Sequence, residues 1–267
     1  MPFSKLGLSD PILKAVADMG YTKPTAIQTQ AIPAIISGKD VVGAAQTGTG
    51  KTASFVLPIL QNLKLDHKTR GKRIRALILV PTRELAVQVE ASVANYAKYL
   101  NLSSMAMYGG VDGAEQKASL IEGVEILVAT PGRLLDMVHQ RGLHFDALEM
   151  LVLDEADRML EMGFQASVDF IISNIPQDRQ TLLFSATFPP EIADISKKIM
   201  RSPTKVTVEG NHEESTISQH FYKVENDSER IDGIRLLLLK HQPESSIVFC
   251  NTKKDVQIVV NELRNYG

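Results

Sequence analysis

Hydrophobic residues along the chain occur in short continuous runs, separated by longer segments in which they recur with helical spacing. This alternation is typical of βαβ units, in which a parallel sheet carries helices on both faces. Most of the runs are apolar at consecutive positions, which predicts strands that are buried on both faces. The predicted strands occupy residues 41–45, 76–80, 104–108, 125–129, 150–154, 181–185 and 205–208.

A polar and acidic stretch at residues 209–216 interrupts this alternation and is predicted to be a linker. Residues 1–208 are therefore expected to form one α/β domain. After the linker the pattern restarts, with predicted strands at 217–224 and 246–250 and predicted helices at 228–241 and 253–265. A segment of roughly 50 residues is small beside a common domain of ~100–150, so residues 217–267 are predicted to be the beginning of a second α/β domain.

The composition is that of a globular protein. The chain has 267 residues, of which 44% are hydrophobic, and this is ample for a sizeable core. No apolar run reaches the ~18 residues of a membrane-spanning helix, and the amino terminus lacks the features of a signal peptide. A cytoplasmic protein with no membrane partner is therefore predicted. The net charge of −2 means that any binding of nucleic acid must come from a local surface.

The sequence Ala-Gln-Thr-Gly-Thr-Gly-Lys-Thr at 45–52 follows the first predicted strand and precedes a helical segment. In this context it fits a phosphate-binding loop, with Ala45 in the place of the first glycine of the general motif. The glycines let the backbone approach a phosphate, the lysine reaches the β- and γ-phosphates, and the last threonine ligates Mg²⁺. The alternative is a simple glycine-rich turn between a strand and a helix. The predicted nucleotide-binding residues are Thr47, Gly48, Thr49, Gly50, Lys51 and Thr52, and Thr52 is also a predicted metal ligand.

Asp154 ends the predicted strand at 150–154 and Glu155 follows it, at the edge where an open α/β sheet places its ligand-facing groups. A carboxylate at Asp154 can hold Mg²⁺, and the adjacent Glu155 can orient or deprotonate an attacking water. The alternative is that both acids merely favour the amino terminus of a helix electrostatically. Together with the phosphate loop, the pair predicts ATP hydrolysis with Lys51, Asp154 and Glu155 as catalytic residues.

Three further polar segments also follow predicted strands, and each could simply cap a helix. Their shared position at the carboxyl ends of strands instead favours a role at the ligand-binding edge of the sheet. There, Arg83 and Arg133 would be placed to meet a phosphate backbone. The candidate residues of these segments are Thr82 and Arg83, Thr130 and Arg133, and Ser185 and Thr187.

Two other features have competing interpretations. Residues 25–28, Thr-Ala-Ile-Gln, match a capping box, so local sequence favours a helix start. The amide of Gln28 presents both a donor and an acceptor, which would also suit the Hoogsteen edge of adenine. The basic residues between 64 and 75 are predicted to form a solvated loop, with RNA contact as the less favoured alternative.

Taken together and in this order, the motifs resemble those of the DEAD-box RNA helicase family, and of its bacterial members most closely. The resemblance covers the whole chain and implies an amino-terminal RecA-like domain followed by the start of a second one. It also implies ATP and Mg²⁺ as cofactors and RNA as a partner. The matching segments are Phe3 with GYTKPTAIQ at 20–28, AQTGTGKT at 45–52, PTRELA at 81–86, GG at 109–110, TPGR at 130–133, DEAD at 154–157, SAT at 185–187 and IVFCNT at 247–252.

The resemblance implies roles that the residues alone leave open. Gln28 would read the adenine amide edge, while Phe3 and Tyr21 would pack near the base. Contacts to the RNA backbone, with little sequence preference, would come from Thr82, Arg83, Gly110, Thr130 and Arg133. The nucleotide state would be linked to strand separation by Asp157, Ser185 and Thr187.

The family's arginine finger and its remaining RNA-contacting motifs belong to the second domain and do not occur in this sequence. An arginine finger can be worth about 10³–10⁵ in rate. This chain is therefore expected to bind nucleotide, to hydrolyse it poorly and not to unwind RNA, with the rest of the second domain as a missing partner. The alternative from another class is a nucleotide-gated RNA clamp or scaffold. Neither the RNA target nor the oligomeric state is predicted.

Overall fold

The structure, a computed structural model, describes residues 2–44, 48–65, 73–111, 116, 118, 120, 122–139, 143–208 and 218–265. The chain divides into two units, Met1–Asn211 and His212–Gly267. The predicted linker at 209–216, and residue 217 after it, lie outside the described residues. The boundaries 1–208, 209–216 and 217–267 therefore stay predictions.

The described part of the first unit contains a seven-stranded sheet in which all neighbouring strands are parallel. The order across the sheet is β3-β4-β2-β5-β6-β1-β7. This arrangement confirms the predicted α/β class with a parallel sheet between helices. The strands are β1 Val41–Ala44, β2 Ala76–Leu79, β3 Ser104–Met107, β4 Ile126–Ala129, β5 Met150–Leu153, β6 Gln180–Ser185 and β7 Thr204–Thr207.

The seven strands begin and end within one residue of their predicted positions, except that position 45 lies outside the described residues. The prediction succeeds because each strand is apolar on both sides of the sheet. In β2, for example, Ala76 and Ile78 face one buried cluster, while Leu77 and Leu79 face the other. Alternate side chains of one strand therefore enter two separate cores.

Helices cover both faces of the sheet. The first cluster is built with side chains of α1 to α4, and the second with those of α5 to α8. No described helix is long and apolar enough to cross a membrane. After a 3₁₀ turn at Phe3–Lys5, the continuous helices in the described part of this unit are α1 Asp10–Asp18, α2 Ala26–Ile36, α3 Lys51–Leu65, α4 Arg83–Tyr96, α5 Pro131–His139, α6 Ala156–Glu161, α7 Gln165–Ser173 and α8 Pro190–Ile199. The described residues 116, 118, 120 and 122 are also helical.

The described part of the second unit, residues 218–265, contains two helices, α9 Asp227–His241 and α10 Lys253–Asn265, close to the predicted bounds. The predicted strands at 217–224 and 246–250 are wrong over the described residues, which have no strand there. Apolar side chains of these segments are exposed instead: Phe221 by 93%, Ile247 by 81% and Phe249 by 91%. An isolated strand leaves its backbone groups unpaired, and the described part of this unit offers no neighbouring strand to pair with.

Candidate functional site

The predicted motifs meet at one edge of the sheet because they follow strands that run in the same direction. Lys51 begins α3 after β1, Thr82 follows β2, Thr130 follows β4, and Asp154 follows β5. The segment from Ser185 to Thr187 continues from the end of β6. In open α/β sheets this carboxyl edge is where ligands bind. Of the predicted site residues, Thr47 lies outside the described part of the chain.

Lys51 and Asp154 form a buried ion pair at the centre of this edge. The Nζ atom of Lys51 lies 3.0 Å from Oδ1 of Asp154, and the two side chains are only 7% and 2% exposed. Burial raises the pKa of Asp154, and the Lys51 ammonium counters that rise only in part. The same carboxylate oxygen accepts a hydrogen bond from the backbone N–H of Glu155 at 2.9 Å. The lysine of the phosphate loop and the carboxylate predicted to hold Mg²⁺ are therefore direct neighbours.

The phosphate loop approaches α2 closely at Gly50. Gly48 and Gly50 both have φ near +83°, a left-handed conformation that glycine adopts without strain. The backbone carbonyl of Gly50 accepts a hydrogen bond from Nε2 of Gln28 at 3.0 Å. A Cβ atom at Gly50 would clash with that amide nitrogen, and it would lie 3.1 Å from Oγ1 of Thr25. Glycine is thus required here by conformation and by space.

The amide of Gln28 is engaged at both ends. Its Oε1 accepts a hydrogen bond from the backbone N–H of Thr25 at 2.9 Å, which is the helix-start contact that the local sequence favours. Its Nε2 holds the phosphate loop through Gly50. The side chain is 5% exposed. Gln28 therefore links the start of α2 to the phosphate loop, and the predicted adenine contact remains a proposal.

The two aromatic residues predicted to lie near the base differ in exposure. Phe3 is buried among the residues of the first core cluster, whereas Tyr21 is 50% exposed. Tyr21 also lies beside Tyr96 of α4, and burial together with this neighbour raises the pKa of Tyr96. Tyr21 thus has the accessible ring of the pair, and Phe3 is part of the core that supports α1.

Glu155 has an unusual backbone conformation. Its φ and ψ are 51° and 50°, in the left-handed region that non-glycine residues rarely adopt. This conformation costs on the order of 1–3 kcal/mol and typically occurs where function demands it. The carboxylate of Glu155 accepts a hydrogen bond from Nη1 of Arg158 at 3.2 Å. The turn separates Asp154, which is buried, from the partly accessible carboxylate of Glu155.

Asp157 joins α6 to the segment after β6. Its Oδ2 accepts hydrogen bonds of 2.8 Å from both the backbone N–H and the hydroxyl of Thr187. Its backbone N–H donates to Oγ of Ser185 at 3.2 Å. Burial raises the pKa of Asp157, but the hydrogen bonds outweigh it and the net effect lowers the pKa. The three residues predicted to link the nucleotide state to strand separation are therefore in direct contact.

The predicted RNA-binding residues extend from the same edge toward β3. Thr82 caps α4, because its Oγ1 accepts a hydrogen bond from the backbone N–H of Leu85 at 3.2 Å. Arg83 is exposed and stacks over the ring of Tyr108 at 4.9 Å from the ring centre. Thr130 is buried, and its backbone N–H bonds to the carbonyl of Met107 at 3.0 Å.

The glycine pair at 109–110 lies on an open surface. Gly110 has φ near +83°, so its conformation favours glycine. Gly109 has an ordinary φ, and a Cβ atom there would meet no atom within 4 Å. The fold of the described residues therefore does not itself require a glycine at 109.

Two residues of this surface were missed by the sequence analysis. Arg133 donates from Nε to Oε1 of Gln116 at 3.1 Å, and Gln116 donates from Nε2 to the carbonyl of Tyr108 at 3.2 Å. Gln116 and Tyr108 lie outside the recognised motifs, and only the three-dimensional contacts reveal them.

The basic segment at 64–75, predicted as a solvated loop, is only partly described, because residues 66–72 lie outside the described part. Arg73 and Arg75 form ion pairs with acidic residues near the amino edge of the sheet, opposite the edge where the motifs meet.

The residues present fit a nucleotide with Mg²⁺. In the described residues, no three His, Cys, Asp or Glu side chains cluster as a metal site. Proteins commonly hold Mg²⁺ through one or two side-chain oxygens, with phosphate and water oxygens as its other ligands. Asp154 supplies one such carboxylate, and Lys51 with the amino terminus of α3 supplies positive potential for phosphates.

Comparison with known proteins shows the family of the chain. The profile of the DEAD/DEAH box helicase family matches residues 25–195, and the chain belongs to this family. It is 44% identical over 256 residues to "ATP-dependent RNA helicase CshA" of Limosilactobacillus reuteri, and this match covers 96% of the chain and 51% of that protein. It is 41% identical over 254 residues to "DEAD-box ATP-dependent RNA helicase RhpA" of Helicobacter pylori, with coverage of 95% and 50%. The chain spans about half the length of these relatives.

A solved structure also resembles the chain. The crystal structure of a DEAD box protein from the hyperthermophile Methanococcus jannaschii is 38% identical and superposes with a TM-score of 0.74. The match covers 100% of this chain and 71% of that one. This similarity confirms the RecA-like fold.

Proposed function

We propose that this chain is the nucleotide-binding part of an ATP-dependent RNA helicase of the DEAD-box type. The observation that carries the proposal is the buried pair of Lys51 and Asp154 at the carboxyl edge of the sheet, next to the phosphate loop. Membership of the family supports it, since the relatives named above are ATP-dependent RNA helicases. The central test is hydrolysis of ATP with and without RNA by the complete protein.

The residues of the proposed nucleotide site have different roles. The phosphate loop and Lys51 would bind the phosphates, and Thr52 and Asp154 would hold Mg²⁺, which would supply positive charge against the charge on the transferred phosphoryl group. Glu155 orients or deprotonates the attacking water from its turned backbone position. Gln28 reads adenine, with the exposed ring of Tyr21 near the base and Phe3 supporting it.

The proposed RNA surface binds the phosphate backbone. Arg83 and Arg133 supply positive charge, and the open glycines at 109–110 allow a strand to approach the main chain. Thr82 and Thr130 are the remaining proposed contacts. Because these contacts do not involve base edges, the proposal expects little sequence preference. RNA and DNA of equal length should be compared as stimulators of hydrolysis, and stronger stimulation by DNA would contradict the assignment to RNA.

We further propose that a second RecA-like domain, begun by residues 217–267, completes the active enzyme. The support is the half-length match to the curated relatives and the exposed apolar residues of the second unit. Alone, this chain should bind nucleotide, turn it over slowly and fail to separate strands. RNA-stimulated turnover by the chain at the rate of the complete protein would contradict this proposal.

The alternative is a nucleotide-gated RNA clamp. In a clamp, the contacts of Asp157 with Ser185 and Thr187 would link the nucleotide state to closure on RNA rather than to strand separation. A clamp would retain RNA in the presence of a non-hydrolysable ATP analogue yet separate few short duplexes. Efficient unwinding of such duplexes by the complete protein would exclude the clamp as the main function.

A further inference from the structure

A buried glutamine connects the two arginines of the proposed RNA surface. Gln116 is 8% exposed, and its amide spans from Nε of Arg133 to the carbonyl of Tyr108. The ring of Tyr108 in turn lies under the guanidinium of Arg83. Tyr108, which follows β3, therefore contacts Arg83 through its ring and is connected to Arg133 through Gln116.

The chemistry of an amide suits this position. Arg133 offers only donors, and the carbonyl of Tyr108 offers only an acceptor, so a connecting side chain must accept at one end and donate at the other. Glutamine does both without carrying a charge. A glutamate would accept from Arg133, but it would cancel the arginine's charge and, when ionised, could not donate to the carbonyl.

We propose that Gln116 is a positioning residue that holds Arg133 in place for an RNA phosphate while leaving its positive charge uncancelled. Its anchor on Tyr108, whose ring lies under the guanidinium of Arg83, ties the positions of both arginines to this one residue. This inference rests on the proposed RNA-binding function. Gln116 itself acts through Arg133 and does not touch the RNA.

The proposal separates two substitutions of similar shape. Gln116→Met removes both hydrogen bonds and leaves the charge of Arg133 intact. The arginine side chain is then free before RNA binds, and its conformational entropy is lost when it contacts the RNA. Immobilising one long side chain corresponds to a loss of affinity of about 2- to 12-fold. Gln116→Glu keeps the hydrogen bond from Arg133 but loses the one to the carbonyl of Tyr108, and it pairs the arginine's charge, so the salt dependence of RNA binding should fall by about 0.7 in slope for a single strand.

The experiment uses the whole chain and a fluorescent single-stranded RNA, with affinity measured by anisotropy at several salt concentrations. We expect Gln116→Met to weaken binding with an unchanged salt slope, and Gln116→Glu to lower the slope. A matched control is Gln61→Met, which removes another buried amide, one that accepts from the backbone N–H of Ser9 at 2.8 Å. The control should lower thermal stability without changing RNA affinity.

A readout without RNA tests the positioning role separately. In a nitrogen–proton NMR spectrum, the Nε–H signal of Arg133, assigned by its loss in Arg133→Lys, should exchange with water faster in Gln116→Met than in the unmodified chain. Equal exchange would overturn the inference, as would equal RNA affinity and salt slope in all Gln116 variants. Failure of the unmodified chain to bind RNA would contradict the proposed function instead, and the NMR result would then decide the role of Gln116.

Discussion

Removal of the Lys51 ammonium should destabilise the first unit strongly, because it leaves the Asp154 carboxylate buried without its partner. The two side chains are 7% and 2% exposed, and their charged atoms are 3.0 Å apart. Breaking such a pair from one side typically costs about 3–5 kcal/mol. Asp154 already has a raised pKa and can take up a proton, so we expect Lys51→Met to cost about 3 kcal/mol, near the low end.

This loss is measurable by thermal unfolding followed by circular dichroism. For a unit of this size, 1 kcal/mol corresponds to about 2–4 °C, so the melting temperature should fall by about 6–12 °C. The matched control is Lys197→Met, which breaks an ion pair with Asp194 whose side chains are 79% and 76% exposed. That change should cost less than about 0.5 kcal/mol, because exposed pairs contribute little.

A second variant distinguishes the lost partner from lost packing. Lys51→Met combined with Asp154→Asn removes the buried charge as well as the lysine, so it should recover most of the lost stability. A melting temperature of Lys51→Met within 1 °C of the unmodified chain would refute the reasoning. So would a double variant that is no more stable than Lys51→Met alone.

Three further outcomes are expected. Thr187→Val removes one of the hydrogen bonds that lower the pKa of Asp157, so the pKa of Asp157 should rise in a carbon-13 NMR titration. In the unmodified chain, the lowered pKa of Asp157 stabilises the fold above the pKa of the unfolded chain, and this stabilisation is lost as pH falls through the folded-state pKa. The variant should therefore show a smaller stabilisation from this aspartate. An unchanged pKa would show that the hydroxyl does not matter. Gly50→Ala should lower the melting temperature, because its Cβ atom clashes with Gln28 at a positive φ, and equal melting would contradict the packing described here. Gly109→Ala should melt like the unmodified chain but bind RNA more weakly, and unaltered RNA binding would count against strand approach at this glycine.

The fold of the first unit could be predicted because its signal is local. Strands buried on both faces are apolar at consecutive positions, as in Leu77 and Ile78 of β2, and no information about partners is needed to locate them. The strands predicted in the second unit failed for the opposite reason. Strand formation depends on neighbours for hydrogen bonding, and Phe249 remains exposed where no described strand pairs with its segment.

Only the site residues that belong to sequence motifs could be predicted, and the contacts between these segments could not. Lys51 and Asp154 were predicted to lie at the carboxyl edge of the sheet because each follows a predicted strand or ends one, and the structure brings the two side chains into contact. The two hydrogen bonds of the Gln28 amide depend on how α2 meets the phosphate loop, so local sequence indicated only the one to Thr25. The contacts of Gln116 join segments of the chain that have no common motif, and they become visible only when the chain is folded.

The central claim is that this chain binds ATP with Mg²⁺ through the phosphate loop and the Lys51–Asp154 pair. Calorimetric titration of the chain with Mg²⁺–ATP tests this most directly, with Lys51→Met/Asp154→Asn as a variant that is stable but lacks both charged groups. The account predicts saturable binding at one site per unmodified chain and no saturation of the variant at the same concentrations. Absence of binding by the unmodified chain, or equal affinity in the variant, would contradict it.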